Sequence, residues 1–295
     1  MPEATYRIVE SYGRQLLLED AQGQRHLGLI KGKRLTALVG DWVSAHASGD
    51  SWVITHVLER RNVFFRQDEL RTKSFAANID QVLVFLGAEP IHSDLQLGRA
   101  LLAAAAQDIP VAIALNKMDL SQAFADAQHR LDRHNDWGCP LFCLQLEAPQ
   151  QGLEPLKAWL KNRSTLVVGP SGTGKSTLIN TLVPGSEVKT QTISLALNSG
   201  KHTTTRTTWH WADGARSTAL IDSPGFQEFG IRHLQAEQLQ WLMPDLKAHL
   251  GNCRFSNCQH LHEPNCGVLL ALEAGQIDPM RHRIYTQLHA ELKPQ

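Results

Sequence analysis

Hydrophobic and polar positions alternate differently in three stretches of this chain. Between residues 5 and 65 short β-like runs recur at 6–9, 15–18, 42–45 and 51–54, separated by glycine-containing turns and charged segments. Closely spaced short strands of this kind predict a small β-barrel of the OB type. Near Ala77 the rhythm changes. Residues 82–86 (Val-Leu-Val-Phe-Leu) and 111–115 (Val-Ala-Ile-Ala-Leu) are continuous apolar runs of strand length, as buried parallel strands require. Helical patterns at 94–107, 121–134 and 152–161 alternate with strands at 141–144 and 165–168, which predicts a parallel α/β sheet. From about residue 236 the chain reads as helical and rich in His and Cys. The expected architecture is multidomain: a β-barrel over 1–66, an α/β domain over 67–235 and a mostly α segment over 236–295.

Composition narrows the setting. A 42% hydrophobic content supports real cores, and a formal net charge of zero means that no global field draws the chain onto nucleic acid or membrane. No apolar run approaches the ~20 residues needed to span a bilayer. Residues 1–11 lack a charged start followed by an apolar stretch, so no signal peptide is expected.

Two motifs carry the chemistry, and their order is reversed. Strand 165–168 runs into Gly169-Pro170-Ser171-Gly172-Thr173-Gly174-Lys175-Ser176, a G-x-x-x-x-G-K-S loop, and a helix follows. Such a loop converges backbone N–H groups on phosphates at a helix N-terminus, with Lys175 reaching the β- and γ-oxygens and Ser176 holding Mg²⁺. Strand 111–115 runs into Asn116-Lys117-Met118-Asp119, an N-K-x-D motif. Asp119 can accept hydrogen bonds from guanine N1–H and N2–H₂, where adenine offers no donor, and Lys117 can lay its stem along the base. In ordinary GTPases the phosphate loop comes first. Here it comes second, which implies a circularly permuted P-loop GTPase domain. Asp222-Ser223-Pro224-Gly225 completes the set as D-x-x-G at a strand end. The fifth motif, a Ser-Ala-Lys-like stretch in other GTPases, has no clear counterpart in residues 142–147.

The nucleotide-binding positions are therefore Asn116, Lys117, Met118 and Asp119, then Gly169, Pro170, Ser171, Gly172, Thr173, Gly174, Lys175, Ser176 and Thr177, and finally Asp222 and Gly225. The polar stretch 185–207 has the character of a switch, with Thr204 (Thr205 next) the expected Mg²⁺ partner of Ser176. Phe226 stands where many GTPases place a water-orienting Gln, so slow intrinsic turnover is expected. His202 is the candidate to orient water, which gives Lys175, Thr204 and His202 as the catalytic set.

Cys253, Cys258, His260 and Cys266 offer three thiolates and one imidazole, the donor set of a closed structural Zn²⁺ site. His262 is a weaker rival ligand, and Cys139 and Cys143 read as core or strand residues. An odd total of five cysteines fits a metal site better than a disulfide framework.

Permuted motifs between a leading barrel and a trailing Cys₃His segment resemble the ribosome small-subunit-dependent GTPase A family. The local phrases match as well: Val39-Gly40-Asp41-Trp42-Val43, Ala77-Asn78-Ile79-Asp80, Gly200-Lys201-His202-Thr203-Thr204-Thr205 and the D-x-x-G run. The resemblance covers nearly the whole chain. It implies a cytoplasmic bacterial factor in late 30S subunit maturation, with an OB-fold, a permuted GTPase domain and a zinc domain. It further implies GTP hydrolysis stimulated by the 30S subunit, contact with 16S rRNA and a monomeric protein.

Barrels of this type bind RNA through basic and stacking side chains. Lys31, Lys33, Arg34, Arg60, Arg61 and Arg66 are candidate phosphate contacts, while Trp42 and Trp52 read as core. A small-molecule P-loop kinase is disfavoured by N-K-x-D. An RNA-binding scaffold that binds nucleotide with little turnover is disfavoured by intact Lys175, Ser176, Asp222 and Asp119.

Overall fold

A computed structural model of the chain describes residues 4–12, 15–30, 35–49, 51–67, 72–185, 207–223 and 230–293. Strands β1 (Ala4–Tyr12), β2 (Gln15–Glu19), β3 (Arg25–Ile30), β4 (Trp42–Ser48) and β5 (Ser51–Val57) form the barrel. Their pairing runs β1-β2-β3-β5-β4 and closes through β1–β4, with β3 and β5 parallel. This is the OB arrangement expected from the sequence. Alternation decides which residues fill it. In β4, Val43 and Ala45 are buried, while Trp42 projects outward. Trp42 is 38% exposed, so the expectation that it belongs to the core is corrected. Trp52 is half-buried against Tyr6 and His26.

A hairpin of β6 (Val63–Gln67) and β7 (Thr72–Ala77) crosses the boundary expected at 66/67 and leads into the α/β domain. There β8 (Gln81–Gly87), β9 (Val111–Asn116), β10 (Leu141–Leu144), β11 (Ser164–Val168), β12 (Thr208–Trp211) and β13 (Ala219–Asp222) stand in the order β10-β9-β8-β11-β13-β12. All are parallel except β12, which runs antiparallel to β13. The apolar runs are continuous because helices cover both faces. Val82, Val84 and Leu86 pack on one side with α1 (Asp94–Ala105) and α2 (Ser121–Asp132). Leu83 and Phe85 pack on the other with α3 (Leu153–Leu160) and α4 (Lys175–Leu182).

The barrel and the sheet share a seam. Edge strand β12 touches β1 through the pair Glu10↔Thr208. Trp211 Nε1 donates to Glu19 Oε1 at 2.6 Å, and Arg216 beyond β12 donates to the Gln22 carbonyl.

The C-terminal segment holds α5 (Ala236–Leu242), α6 (Pro244–Lys247), α7 (Gly267–Glu273) and α8 (Pro279–Leu292). It is fixed to the α/β domain by a fully buried arginine. Arg281 donates from Nε to Asp245 Oδ2 at 2.9 Å and from Nη2 to Asp245 Oδ1 at 3.1 Å, lies 5.0 Å from the Trp137 ring centroid, and has Nη1 3.4 Å from His134 Nδ1. Removing one partner of such a pair leaves a buried charge uncompensated. Asp245→Ala is therefore expected to cost about 3–5 kcal/mol in urea unfolding. A loss under about 1 kcal/mol would place the guanidinium in water instead.

Candidate nucleotide and metal sites

The parallel strands β9, β10 and β11 deliver their motifs to one edge of the sheet. β11 ends at Val168, and the loop turns through glycines that no other residue could replace cheaply. A Cβ on Gly169 would lie 2.0 Å from the Phe85 carbonyl oxygen. Gly174 adopts φ +102°, and a Cβ there would lie 2.6 Å from Asn116 Nδ2. Both glycines are therefore required by close approach, and the second by a left-handed backbone as well.

Asn116 joins the motifs. Its Nδ2 donates to the Thr173 carbonyl at 3.0 Å, and its Oδ1 accepts from the Leu146 N–H at 3.3 Å. One buried side chain thus holds the N-K-x-D turn against the phosphate loop and against the loop after β10. The Leu146 contact puts the weakly marked fifth-motif region beside the other two motifs, which sequence reading did not establish. Lys117 takes φ +73° and donates from Nζ to the Glu89 carbonyl at 2.7 Å, while Met118 N–H donates to the Leu144 carbonyl at 3.2 Å. Asp119 stands exposed in the turn that follows.

Lys175 Nζ donates to the carbonyls of Gly169 and Pro170, both at 2.7 Å. Burial pushes its ammonium down to about 8, with Asp222 partly offsetting the shift. Thr173 Oγ1 donates to the Pro170 carbonyl at 3.0 Å and braces the loop. Ser176 and Thr177 lie half-buried in the first turn of α4. Asp222 is buried at the end of β13 opposite Val167, and Ser223 Oγ donates to the Val167 carbonyl at 3.2 Å. A hydroxyl and a carboxylate are hard oxygen donors, the kind that suits Mg²⁺. His202, Thr204, Gly225 and Phe226 lie outside the described residues, as do Lys31, Lys33 and Arg34.

The second site is sulfur-rich. The ligand atoms of Cys253, Cys258, His260 and Cys266 all lie within 4.8 Å of one another. Cys253 Sγ is 3.5 Å from His260 Nδ1 and 3.9 Å from Cys266 Sγ, and His260 Nδ1 is 3.3 Å from Cys266 Sγ. Metal–sulfur bonds of ~2.3 Å in a tetrahedron place ligand atoms at such separations. His260 Nε2 donates to Gln240 Oε1 at 2.6 Å, so the proton sits on Nε2 and the Nδ1 lone pair faces the thiols. Burial, then the neighbouring thiols, push Cys258 up to about 12, and burial raises Cys266 as well. Without a cation the thiolates are disfavoured. His260 and Asn265 also hold left-handed backbones, φ +58° and +56°, a strain the surrounding loop must fix. This cluster can hold a metal ion. The exposed His262 is not part of it, and Cys139 and half-buried Cys143 on β10 are free thiols away from it.

Among the candidate RNA contacts, Arg60 is already engaged. It grips the buried Asp41 through Nε at 2.7 Å and Nη2 at 2.8 Å. Arg61 donates to Asp80 at 2.7 Å and to the Ile79 carbonyl at 2.9 Å, but stays exposed. Arg66 is half-buried.

Starting the count at β11, the strands follow as β11, β12, β13, β8, β9, β10, in that order from the phosphate loop onward. Sheet order and motif placement thus define a P-loop GTPase whose chain is circularly permuted. The model of the family described as RsgA GTPase matches residues 57–232. The chain belongs to the RsgA GTPase family. It is 51% identical over 290 residues to the small ribosomal subunit biogenesis GTPase RsgA of Variovorax paradoxus strain S110, covering 97% of this chain and 91% of that protein. Identity to the protein of the same name from Burkholderia pseudomallei strain K96243 is 44% over 286 residues, covering 96% and 90%. YjeQ from Thermotoga maritima has a similar crystal structure, with a TM-score of 0.75 at 26% identity and 98% of each chain covered. The fold of YloQ, a circularly permuted GTPase, matches at a TM-score of 0.71 and 23% identity, covering 99% and 97%. The protein is a GTPase. No helix among the described residues is long and apolar enough to cross a membrane.

Proposed function

We propose that this GTPase serves late maturation of the small (30S) ribosomal subunit, contacts 16S rRNA, and turns over slowly until the subunit stimulates it. The observation that carries the nucleotide assignment is Asn116, which binds the phosphate loop and the loop after β10 at once. Guanine would pair with Asp119 beside the Lys117 stem. Phosphates would lie on the backbone N–H groups of residues 169–177, with Lys175 released from its carbonyls to meet them. Mg²⁺ bound with the nucleotide supplies charge neutralisation, and Ser176, Asp222 and Thr204 would hold it. The four-residue cluster is assigned to one structural Zn²⁺, because thiolates and imidazole favour it and no position remains for water. The protein acts in the cytoplasm as a monomer. The ribosomal reading is supported by the names of relatives that are 44–51% identical over nearly the whole chain.

Phe226 cannot orient the attacking water, so the particle must complete the site, directly or by placing His202. GTP turnover measured with and without purified 30S subunits, at fixed Mg²⁺ and salt, is expected to rise by a factor of 10 or more (about 1.4 kcal/mol) with the subunit. GTP binding without stimulation by mature or immature subunits would favour the scaffold reading instead.

A further inference from the structure

The seam between barrel and sheet holds a cleft away from both the nucleotide motifs and the Cys₃His cluster. It has a volume of about 410 Å³ and is lined by Arg7 and Trp42 of the barrel, Arg61, and Trp209, Trp211 and Arg216 of the α/β domain. That volume lies within the ~300–1,000 Å³ typical of ligand pockets. Arg7 is its centre. The guanidinium carbon lies 4.3 Å from the ring centroids of both Trp42 and Trp209, and 6.0 Å from that of Trp211.

Arginines this enclosed normally hydrogen-bond to a carboxylate or carbonyl. No oxygen among the described residues accepts a hydrogen bond from the Arg7 side chain, although Asp80 and Glu19 are near enough to act on its charge. Burial pushes it down to about 10, against the pull of those two carboxylates. Asp80 is occupied by Ser164 and Arg61, and Glu19 by Arg25 and Trp211. Glu59, exposed at the rim, is the cleft's other acid. Five donors in a fixed fork are thus stacked on indoles and left to the cleft, an arrangement that matches a phosphate.

Trp42 adds the second element. It is the exposed tryptophan of the barrel, standing beside that guanidinium. An anion site next to an exposed indole on an OB barrel is how proteins hold one unit of a single strand: phosphate on arginine, base on the ring.

We propose that the seam cleft is a subsite for one nucleotide of single-stranded RNA. Its phosphodiester would lie on Arg7, flanked by Arg61 and Arg216, and its base against Trp42. The inference rests on the ribosomal reading above for the source of the strand. It assigns the barrel a defined point of contact, and it places the ligand across two domains. Because Trp209 and Trp211 belong to β12, an occupant here touches the strand that pairs with β13 and thereby with Asp222.

The test is anisotropy of a fluorescein-labelled, unstructured RNA decanucleotide with the full-length protein, across a salt series. Trp42→Leu, at an exposed position, is expected to weaken binding by a factor of about 10. Arg7→Gln is expected to weaken it and to lower the salt slope by ~0.7. Fluorescent-GTP binding, unchanged in both variants, verifies the fold. Wild-type affinity and slope in both variants, with 30S stimulation of the wild type intact, would overturn the subsite and leave the ribosomal reading standing. Absence of both RNA binding and stimulation in the wild type would overturn both. Displacement of the decanucleotide by AMP at matching concentration would assign the cleft to free nucleotides instead of a strand.

Discussion

Replacing Asp119 by Asn is expected to move the enzyme's preference from GTP to xanthosine triphosphate. The carboxylate accepts from N1–H and N2–H₂ of guanine; the amide presents a donor where guanine also has one. Xanthine carries a carbonyl at that position and restores the pair. A site built around a specific hydrogen-bond pattern rejects the wrong partner by ~10⁴. GTP kcat/KM should fall by that order, while xanthosine triphosphate gains most of what is lost. The phosphate loop should be untouched, because Asn116 and not Asp119 makes the bridge to Thr173. An unaltered GTP preference would remove Asp119 from the base pocket. Loss of both nucleotides together would mean that the turn itself had collapsed.

Stripping the metal is expected to unfold residues 253–266 and release α7. That segment has no helix or strand of its own, and what else orders it is a set of single hydrogen bonds: the Glu263 carboxylate accepts from the N–H groups of Gln259, Leu261 and His262 at 2.9, 2.9 and 3.1 Å, Tyr285 Oη donates to the Gln259 carbonyl at 2.8 Å, and His282 Nε2 donates to the His260 carbonyl at 2.8 Å. Structural zinc contributes on the order of 10 kcal/mol to ordering such segments. Titration with a thiol reagent and a chromophoric chelator should release one zinc per chain, and hydrogen exchange should then lose protection in that stretch and in α7, with the α/β domain unchanged. Gln240→Leu, which removes the acceptor behind His260, is expected to weaken the metal by roughly 10- to 100-fold. Protection of residues 253–266 that survives complete metal removal would show the cluster to be ordinary buried thiols.

The sequence carried the sheet and its chemistry because both are local. Apolar strands end directly in G-x-x-x-x-G-K-S, N-K-x-D and D-x-x-G, and their reversed order reads as a permutation without any coordinates. The three cysteines and one histidine that could hold a metal ion were legible for the same reason: they fall within one short stretch. What escaped was non-local. Arg281 and Asp245 are 36 residues apart and lie in different helices, so nothing in either neighbourhood marks the pair. Gln240 stands 20 residues before the histidine it orients. Trp42 was misread for a different reason. A tryptophan inside Val-Gly-Asp-Trp-Val looks like core, yet the period-2 rule puts it opposite Val43, which is wholly buried. The alternation was available and pointed outward. Arg7 had no signal at all, since its meaning comes from β12, some two hundred residues later in the chain.

The strand order also fixes a timetable. During synthesis the barrel emerges first, then β8, β9 and β10, which already lie side by side. The later parallel strands dock on the opposite margin, β11 on β8 and β13 on β11, so the sheet grows first to one side of β8 and then to the other as the chain leaves the ribosome. Only β12 departs from that sequence, and it is caught between β13 and a barrel that has long been complete. A nascent chain therefore has the N-K-x-D turn well before it has the G-x-x-x-x-G-K-S loop. On the proposed reading, nucleotide competence comes late, once residue 222 is clear of the exit tunnel, whereas a GTPase in the ordinary motif order begins its synthesis with the phosphate loop.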